Sequence, residues 1–355
     1  MKISISKSIL ENILIHAQPF LEKKDTSMIT SHIYMNVNDS TLILKSTDNE
    51  IGISIKTNQI NSFENGSITA NGKKFLDIVR ILKDEEIDLE VKNETLYISQ
   101  NSSNFKLPSF NYDEFPQFPD YKEQTPISID SQILIASLKK ITPAIDTNNP
   151  KFELNGALMD IRENSINFAS TDTRRLAVVN IETTNNKELS IIIPRKAIVE
   201  IQKLFFDDIE IYYDETNLII NSKQYTFFTK LINGKFPEYT RIIPKEIKAN
   251  ILLPKVAMID AIKQITTIST NVKLIFLEDA ITFESLSDDN IEAKTQINCA
   301  TNFTEEFQIA INSKYLLDFI NNIDSNEFLI GLNEGNLPFI LSDGNFKTVI
   351  MPIVA

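Results

Sequence analysis

Side chains able to do covalent or acid–base chemistry are few and scattered in this chain. There are two histidines, His16 and His32, and one cysteine, Cys299. No Ser/His/Asp or Cys/His set falls into a nucleophile–base pattern. A lone histidine is more often a packed or surface residue than a ligand. One thiol can build neither a disulfide framework nor a multi-thiolate metal site. The stretch Gly66-Ser67-Ile68-Thr69-Ala70-Asn71-Gly72-Lys73-Lys74 comes nearest to a phosphate loop. It has one residue too many between its glycines and no hydroxyl side chain after the lysine, so it does not fit the loop. The acidic pairs Asp113-Glu114 and Asp288-Asp289 stand in polar, turn-like surroundings, where solvated loop charge explains them without an acid–base role. The residues assign no catalytic group, no metal site and no cofactor. A carboxylate-based hydrolase in a β-rich fold would have to declare itself by turnover lost on a single Asp or Glu substitution.

The composition bounds what remains. The 355 residues are 42% hydrophobic and 23% charged, enough apolar matter for real cores in two to three domains. The formal net charge of -13 speaks at first against nucleic acid, since phosphate backbones attract basic faces. The first twenty residues lack the apolar core and small-residue cleavage site of a signal peptide. No apolar run approaches the ~18 residues a membrane helix needs. With one cysteine, a reducing cytoplasmic setting without membrane contact is the expectation.

The elements that must position any site come from periodicity. Alternation in Lys2–Ile5, Thr41–Lys45, Ile51–Ile55, Ile87–Val91 and Thr95–Ile98 reads as half-buried antiparallel strands. Six segments have helical spacing instead: Ser6–Ile15, Gly72–Lys83, Ser131–Ile141, Pro194–Phe206, Pro254–Ile265 and Asn312–Ile323. The fourth and fifth are proline-led, and the sixth is capped by Asn312 or Ser313. Helices one, three and five, and helices two, four and six, each recur at a step of roughly 120 residues. The segments Asn104–Pro108, Phe227–Leu231 and Asn345–Val349 close each copy alike, and Phe115-Pro116 and Phe236-Pro237 follow the first two. The fold class is therefore α+β in three repeated modules, each of antiparallel sheets with two helices: residues 1–122, 123–246 and 247–355.

Charge is unevenly spread over these elements. The six helical segments hold thirteen Lys or Arg (Lys7, Lys73, Lys74, Arg80, Lys83, Lys139, Lys140, Arg195, Lys196, Lys203, Lys255, Lys263 and Lys314) against five carboxylates. That is about +8 on the helices and about -21 elsewhere. Exposed helix faces favour lysine in any protein. A cationic helical layer facing an acidic sheet surface would instead bind phosphates regardless of base sequence.

Four motifs then carry a resemblance. Ser170-Thr171-Asp172-Thr173-Arg174-Arg175-Leu176-Ala177, preceded by Asn155-Gly156, stands with Ile193-Pro194-Arg195-Lys196, with Gly234-Lys235-Phe236-Pro237-Glu238-Tyr239-Thr240-Arg241-Ile242-Ile243-Pro244, and with Met351-Pro352-Ile353. In order and over the whole length, the chain resembles the bacterial DNA polymerase III β subunit, the sliding clamp. Two positions depart from that family: Thr173-Arg174 replaces a frequent Gly-His pair, and the tail ends Ile353-Val354-Ala355 where a Met-basic-Leu pattern is common.

The resemblance implies a head-to-tail homodimer closed into a ring, with helices towards a central hole that duplex DNA threads. It implies DNA-facing positions at Lys23, Lys24, Lys73, Lys74, Arg80, Lys139, Lys140, Arg195, Lys196, Lys203, Lys255, Lys263 and Lys314. It places Phe105 and Leu107 of one copy against the segment around Ile268 of the other. It also implies a peptide pocket for the replicative polymerase's catalytic subunit, the clamp loader, other polymerases and repair proteins. Matching pocket positions are Leu154, Thr171, Arg175, Leu176, Pro237, Arg241, Ile242, Tyr315, Pro338, Val349, Met351, Pro352, Ile353 and Val354. Buried last-strand packing explains the tail equally well, and ordinary core packing explains Phe105 and Leu107. The alternative is a three-domain peptide-docking scaffold that does not encircle DNA.

Overall fold

The structure, a computed structural model, describes all residues except 122, 125, 128, 186–187, 287–290 and 354–355. Asp288, Asp289 and Val354 therefore lie outside the described residues.

The first third of the chain runs β1 (Lys2–Ser6), α1 (Lys7–Ala17), β2 (His32–Asn38), β3 (Thr41–Thr47), β4 (Ile51–Thr57), β5 (Asn61–Glu64), β6 (Gly66–Asn71), α2 (Gly72–Ile81), β7 (Glu86–Lys92), β8 (Thr95–Gln100) and β9 (Ser103–Pro108). The second runs α3 (Ser131–Ile141), β10 (Gly156–Arg162), β11 (Ser165–Thr171), β12 (Arg175–Glu182), β13 (Leu189–Pro194), α4 (Arg195–Leu204), β14 (Glu210–Tyr213), β15 (Asn217–Asn221) and β16 (Tyr225–Lys230). The third runs β17 (Ala249–Pro254), α5 (Lys255–Thr266), β18 (Asn271–Leu277), β19 (Ala280–Ser285), β20 (Lys294–Asn298), β21 (Phe307–Asn312), α6 (Ser313–Ile320), β22 (Glu327–Leu332), β23 (Phe339–Asp343) and β24 (Phe346–Ile350). Each third thus repeats a helix, a group of strands, a second helix and three closing strands, as the spacing predicts. Lys83 falls beyond the end of α2, so the observed helices carry twelve cations against the same five carboxylates.

Local rules account for the helices. On α2, Phe75, Leu76 and Val79 are buried while Lys73, Lys74, Asp77 and Arg80 face solvent. Asn71 caps this helix, its Oδ1 accepting from Lys74 N at 3.0 Å, and Asn312 caps α6 in the same way. Pro194 and Pro254 end strands rather than opening helices: α4 begins at Arg195 and α5 at Lys255. Both prolines close the two edge strands of one sheet, β13 and β17, where a missing N–H costs no ladder bond.

The sheets fuse across the thirds. The chain forms two compact bodies, one of residues 1–134 with 199–231, the other of 135–198 with 232–355. In the first body, β16 pairs antiparallel with β4, giving the order β14-β15-β16-β4-β3-β2-β6. In the second, β24 pairs antiparallel with β12, giving β13-β10-β11-β12-β24-β23-β22-β17. The middle third is therefore shared between the two bodies, because each last strand completes the sheet of the preceding third. Two sheets have no such partner among the described residues: β5-β1-β7-β8-β9 in the first body, ending on β9, and β20-β19-β18-β21 in the second, ending on β20.

Phenylalanines fill the cores. Phe20 and Phe205 both meet Phe227 edge-on in the first body, and in the second Phe319 lies on Phe346 with ring centres 4.8 Å apart.

Candidate functional site

The site is built outward from the turn between β11 and β12. Asp172 Oδ1 accepts from the backbone N–H groups of Arg174 (3.1 Å) and Arg175 (3.0 Å). Thr171 Oγ1 donates to the Arg175 carbonyl at 2.6 Å and accepts from Thr173 N at 3.1 Å. These bonds hold Thr173 at a φ of 71°, in the left-handed region that a β-branched residue seldom enters. The first third repeats the device: Thr47 Oγ1 donates to the Ile51 carbonyl, Asp48 Oδ1 accepts from Glu50 N and Ile51 N, and Asn49 has a φ of 72°. Ser170 donates to the Ile141 carbonyl and Ser46 to the Ala17 carbonyl, each at the end of a first helix. The repeated Ser-Thr-Asp at 46–48 and 170–172 is a sequence signal that periodicity alone overlooks.

Arg175 is a structural rivet. Only 5% of it is exposed. Its Nε donates to Asp172 Oδ2 at 3.0 Å, its Nη1 to Asp318 Oδ2 at 2.7 Å, and its Nη2 to the Pro143 carbonyl. The guanidinium also lies 4.4 Å from the centre of the Tyr315 ring. Burial pushes the Tyr315 hydroxyl pKa up, with the Asp172 carboxylate adding to the effect.

The segment 234–244 covers one face of the eight-stranded sheet. Gly234 has a φ of 152°, which lets the chain turn onto the sheet. Phe236 and Tyr239 then sink into an apolar cluster with Leu158, Ala169, Leu176, Val178, Ile192, Ile340 and Val349. Beside this segment lies a cleft of about 370 Å³. Leu154, Leu176, Pro237, Ile242, Val349 and Met351 are its apolar lining, with Thr171 and Arg175 at its base. Leu176 and Val349 face each other in register across β12 and β24. Met351, 41% exposed, is fixed by its N–H to the Arg174 carbonyl at 2.9 Å. Lys151, Glu153, Thr173 and Arg174 complete the lining. Lys151 and Glu153 are not part of the sequence-derived set; their signal is proximity to Leu154. A small apolar cleft with cations at its rim fits a short peptide with bulky apolar side chains.

Eight of the sequence-derived pocket positions thus meet: Leu154, Thr171, Arg175, Leu176, Pro237, Ile242, Val349 and Met351. Arg241, Tyr315, Pro338, Pro352 and Ile353 do not line this cleft. Arg241 is exposed and pairs with Glu238. Pro352 is buried, and Ile353 N donates to the Ala310 carbonyl at 2.7 Å, tying the tail to β21.

The basic positions differ in freedom. Lys23, Lys24, Lys73, Lys74, Lys139, Arg195, Lys263 and Lys314 are solvent-exposed, as is Arg80, which sits 3.8 Å from Glu11. Lys196 is exposed as well. Lys140 pairs with Asp324 at 3.0 Å, Lys203 with Glu200 at 2.9 Å, and Lys255 Nζ donates to the Ile323 carbonyl at 2.8 Å. At the unpartnered edge β9, Leu107 is 5% exposed and packs into its own body, whereas Phe105 is half-buried. Ile268 is 39% exposed in the turn after α5.

The chain matches the DNA polymerase III beta subunit N-terminal domain over residues 1–119, the central domain over 128–238 and the C-terminal domain over 240–354. It is 37% identical to the beta sliding clamp of Helicobacter pylori over 372 aligned positions, covering 99% of this chain and 100% of that one. It is 29% identical to the beta sliding clamp of Buchnera aphidicola over 94% of this chain and 93% of that one. A crystal structure of the Helicobacter pylori clamp bound to a DNA ligase peptide superposes with a TM-score of 0.96 at 37% identity, covering both chains fully. The beta subunit from Pseudomonas aeruginosa, at 21% identity, shares the fold over both full chains with a TM-score of 0.93. With three domain matches in order along its length, the chain belongs to the bacterial DNA polymerase III β subunit family, the sliding clamps.

Proposed function

We propose that this clamp works as a homodimer closed head to tail around duplex DNA. It would bind the backbone without regard to base sequence and confer processivity on the replicative polymerase. The observation that carries the reading is the pairing rule of the sheets. The last strand of one third pairs with the third strand after the first helix of the preceding third: β16 with β4, β24 with β12. By that rule β9 lacks the partner that β20 of a second copy supplies, and β20 lacks the partner that its β9 supplies. Such a contact is heterologous, and two of them close a ring of six modules. The modules are residues 1–122, 123–246 and 247–355. In this reading Phe105, on the joining edge, would meet the segment around Ile268 of the second copy, and Leu107 would support that edge from inside.

Within the ring, the exposed cations of the helices, Lys73, Lys74, Arg80, Arg195, Lys196, Lys263 and Lys314 foremost, meet phosphate. The acidic remainder of the chain repels stray DNA. The cleft between Leu176, Val349, Pro237 and Met351 receives peptides of the polymerase catalytic subunit, the clamp loader, other polymerases and repair proteins. The ligase peptide on the Helicobacter pylori clamp supports this. No helix among the described residues is long and apolar enough to cross a membrane, and a cytoplasmic site of action follows from partnership with the replicase.

The dimer contact is tested by light scattering. The protein should have twice the chain mass, and Lys106→Pro, which places a proline on the joining edge, should shift it to one chain mass. A wild-type protein of one chain mass at micromolar concentration would contradict the ring.

A further inference from the structure

A second cleft, of about 850 Å³, crosses the same face of the eight-stranded sheet on the other side of the 237–243 segment. Pro237 and Ile242 wall the apolar cleft, while Tyr239, Thr240 and Ile243 wall this one. The floor is continuous. Along β12, Leu176 belongs to the first cleft and Val178 and Asn180 to the second. Along β24, Val349 belongs to the first and Lys347 to the second. Two residues of strand separate the floors, roughly 7 Å.

The chemistry changes along that floor. Asp160, Asn167 and Asn180 stand in register across β10, β11 and β12. Asn180 Nδ2 donates to Asn167 Oδ1 at 2.7 Å. Asp160 is 8% exposed. Its Oδ2 accepts from Arg162 Nε at 3.1 Å, and its Oδ1 lies 2.9 Å from Arg162 Nη2. The Arg162 guanidinium thus holds the Asp160 carboxylate, and the groups the floor presents to solvent are those of Asn180, Lys347 and, in part, Asn167. Lys347 is exposed and has no ion pair among the described residues. Exposed amide and ammonium groups on a sheet floor match the main-chain and side-chain groups of an extended polar peptide.

We propose that this cleft takes the polar flank of the same partner peptide whose apolar residues fill the first cleft, the flank crossing Thr240 in extended form. The proposal rests on the peptide-docking reading of the first cleft. About four extended residues span from Leu176 to Asn180, so an anchor peptide too short to cross the segment gains nothing from it.

The test uses the full-length protein and the DNA ligase peptide of the Helicobacter pylori complex, labelled for fluorescence polarisation. One form holds the anchor alone; two others add eight native ligase residues at one end or the other. One extended form should bind about three- to tenfold tighter than the anchor, the range of one or two net hydrogen bonds. Asn180→Ala and Lys347→Ala should each remove most of that gain and leave anchor affinity unchanged. Extended forms that bind no tighter, or a gain that survives both substitutions, would overturn the proposal while peptide docking stands. An anchor peptide that does not bind at all would overturn the docking reading and this proposal with it.

Discussion

The Arg175 guanidinium sits 2.7 Å from the Asp318 carboxylate and joins the β11–β12 turn to α6. The same side chain reaches Asp172 and the Pro143 carbonyl, so one residue fixes three segments behind the peptide cleft. Replacing Arg175 with Met should strand two half-shielded carboxylates and cost about 2–4 kcal/mol, a fall of roughly 5–10 °C in the calorimetric transition. Arg175→Lys should recover little, since an ammonium cannot reproduce the planar fork. A Met variant melting with wild type would contradict the rivet.

Thr173 holds a φ of 71° where the sliding-clamp family often has glycine. The left-handed region costs a residue with a branched Cβ roughly 1–2 kcal/mol, and glycine loses about 0.5–1 kcal/mol through unfolded-state freedom. Thr173→Gly should therefore stabilise slightly, by up to about 1 kcal/mol in denaturant titration. Thr171→Val, isosteric but without the hydroxyl that bonds Arg175 O and Thr173 N, should destabilise by about 1–3 kcal/mol.

Met351 is the exposed apolar side chain at the cleft whose loss is cleanest to read. Met351→Ala should weaken ligase-peptide binding about five- to tenfold, as truncation of an apolar contact at a binding centre does, and leave the mass by light scattering unchanged. Pro352 is buried, so substituting it would mix folding with binding.

His32 is buried beneath Phe110, ring centres 4.3 Å apart, with Nδ1 3.3 Å from Thr69 Oγ1. Burial lowers its pKa from 6.5 to about 4. The folded state thus binds fewer protons than the unfolded state between those values. His32 costs the fold nothing above pH 6.5, and stability falls as pH drops from 6.5 towards 4, by about 1.4 kcal/mol per unit at most. His32→Gln should flatten the dependence of Tm on pH in that window. An unchanged slope would show His32 protonated in the fold.

The helices were legible because apolar residues three and four apart need one buried face. Phe75, Leu76 and Val79 behave so on α2. The ~120-residue repeat was legible for the same reason. Fusion of sheets across the thirds was not, because β16–β4 and β12–β24 pairing joins residues far apart that carry the same alternation as any strand. In the cleft, Leu176, Val349 and Met351 were readable from motif positions. The stacking of Tyr315 on Arg175 was not legible, since position in sequence does not say which side of an arginine a ring takes. The Lys140, Lys203 and Lys255 pairings lay beyond reach for a related reason: charge can be counted along the chain, but its partners depend on tertiary contacts.

The central claim is topological. The clamp, loaded with its clamp loader and ATP onto nicked circular duplex, should co-elute with the DNA in gel filtration, and cutting the circle once should release it. Equal retention on circular and linear DNA, or equal loss from both, would contradict a closed ring that slides on the duplex.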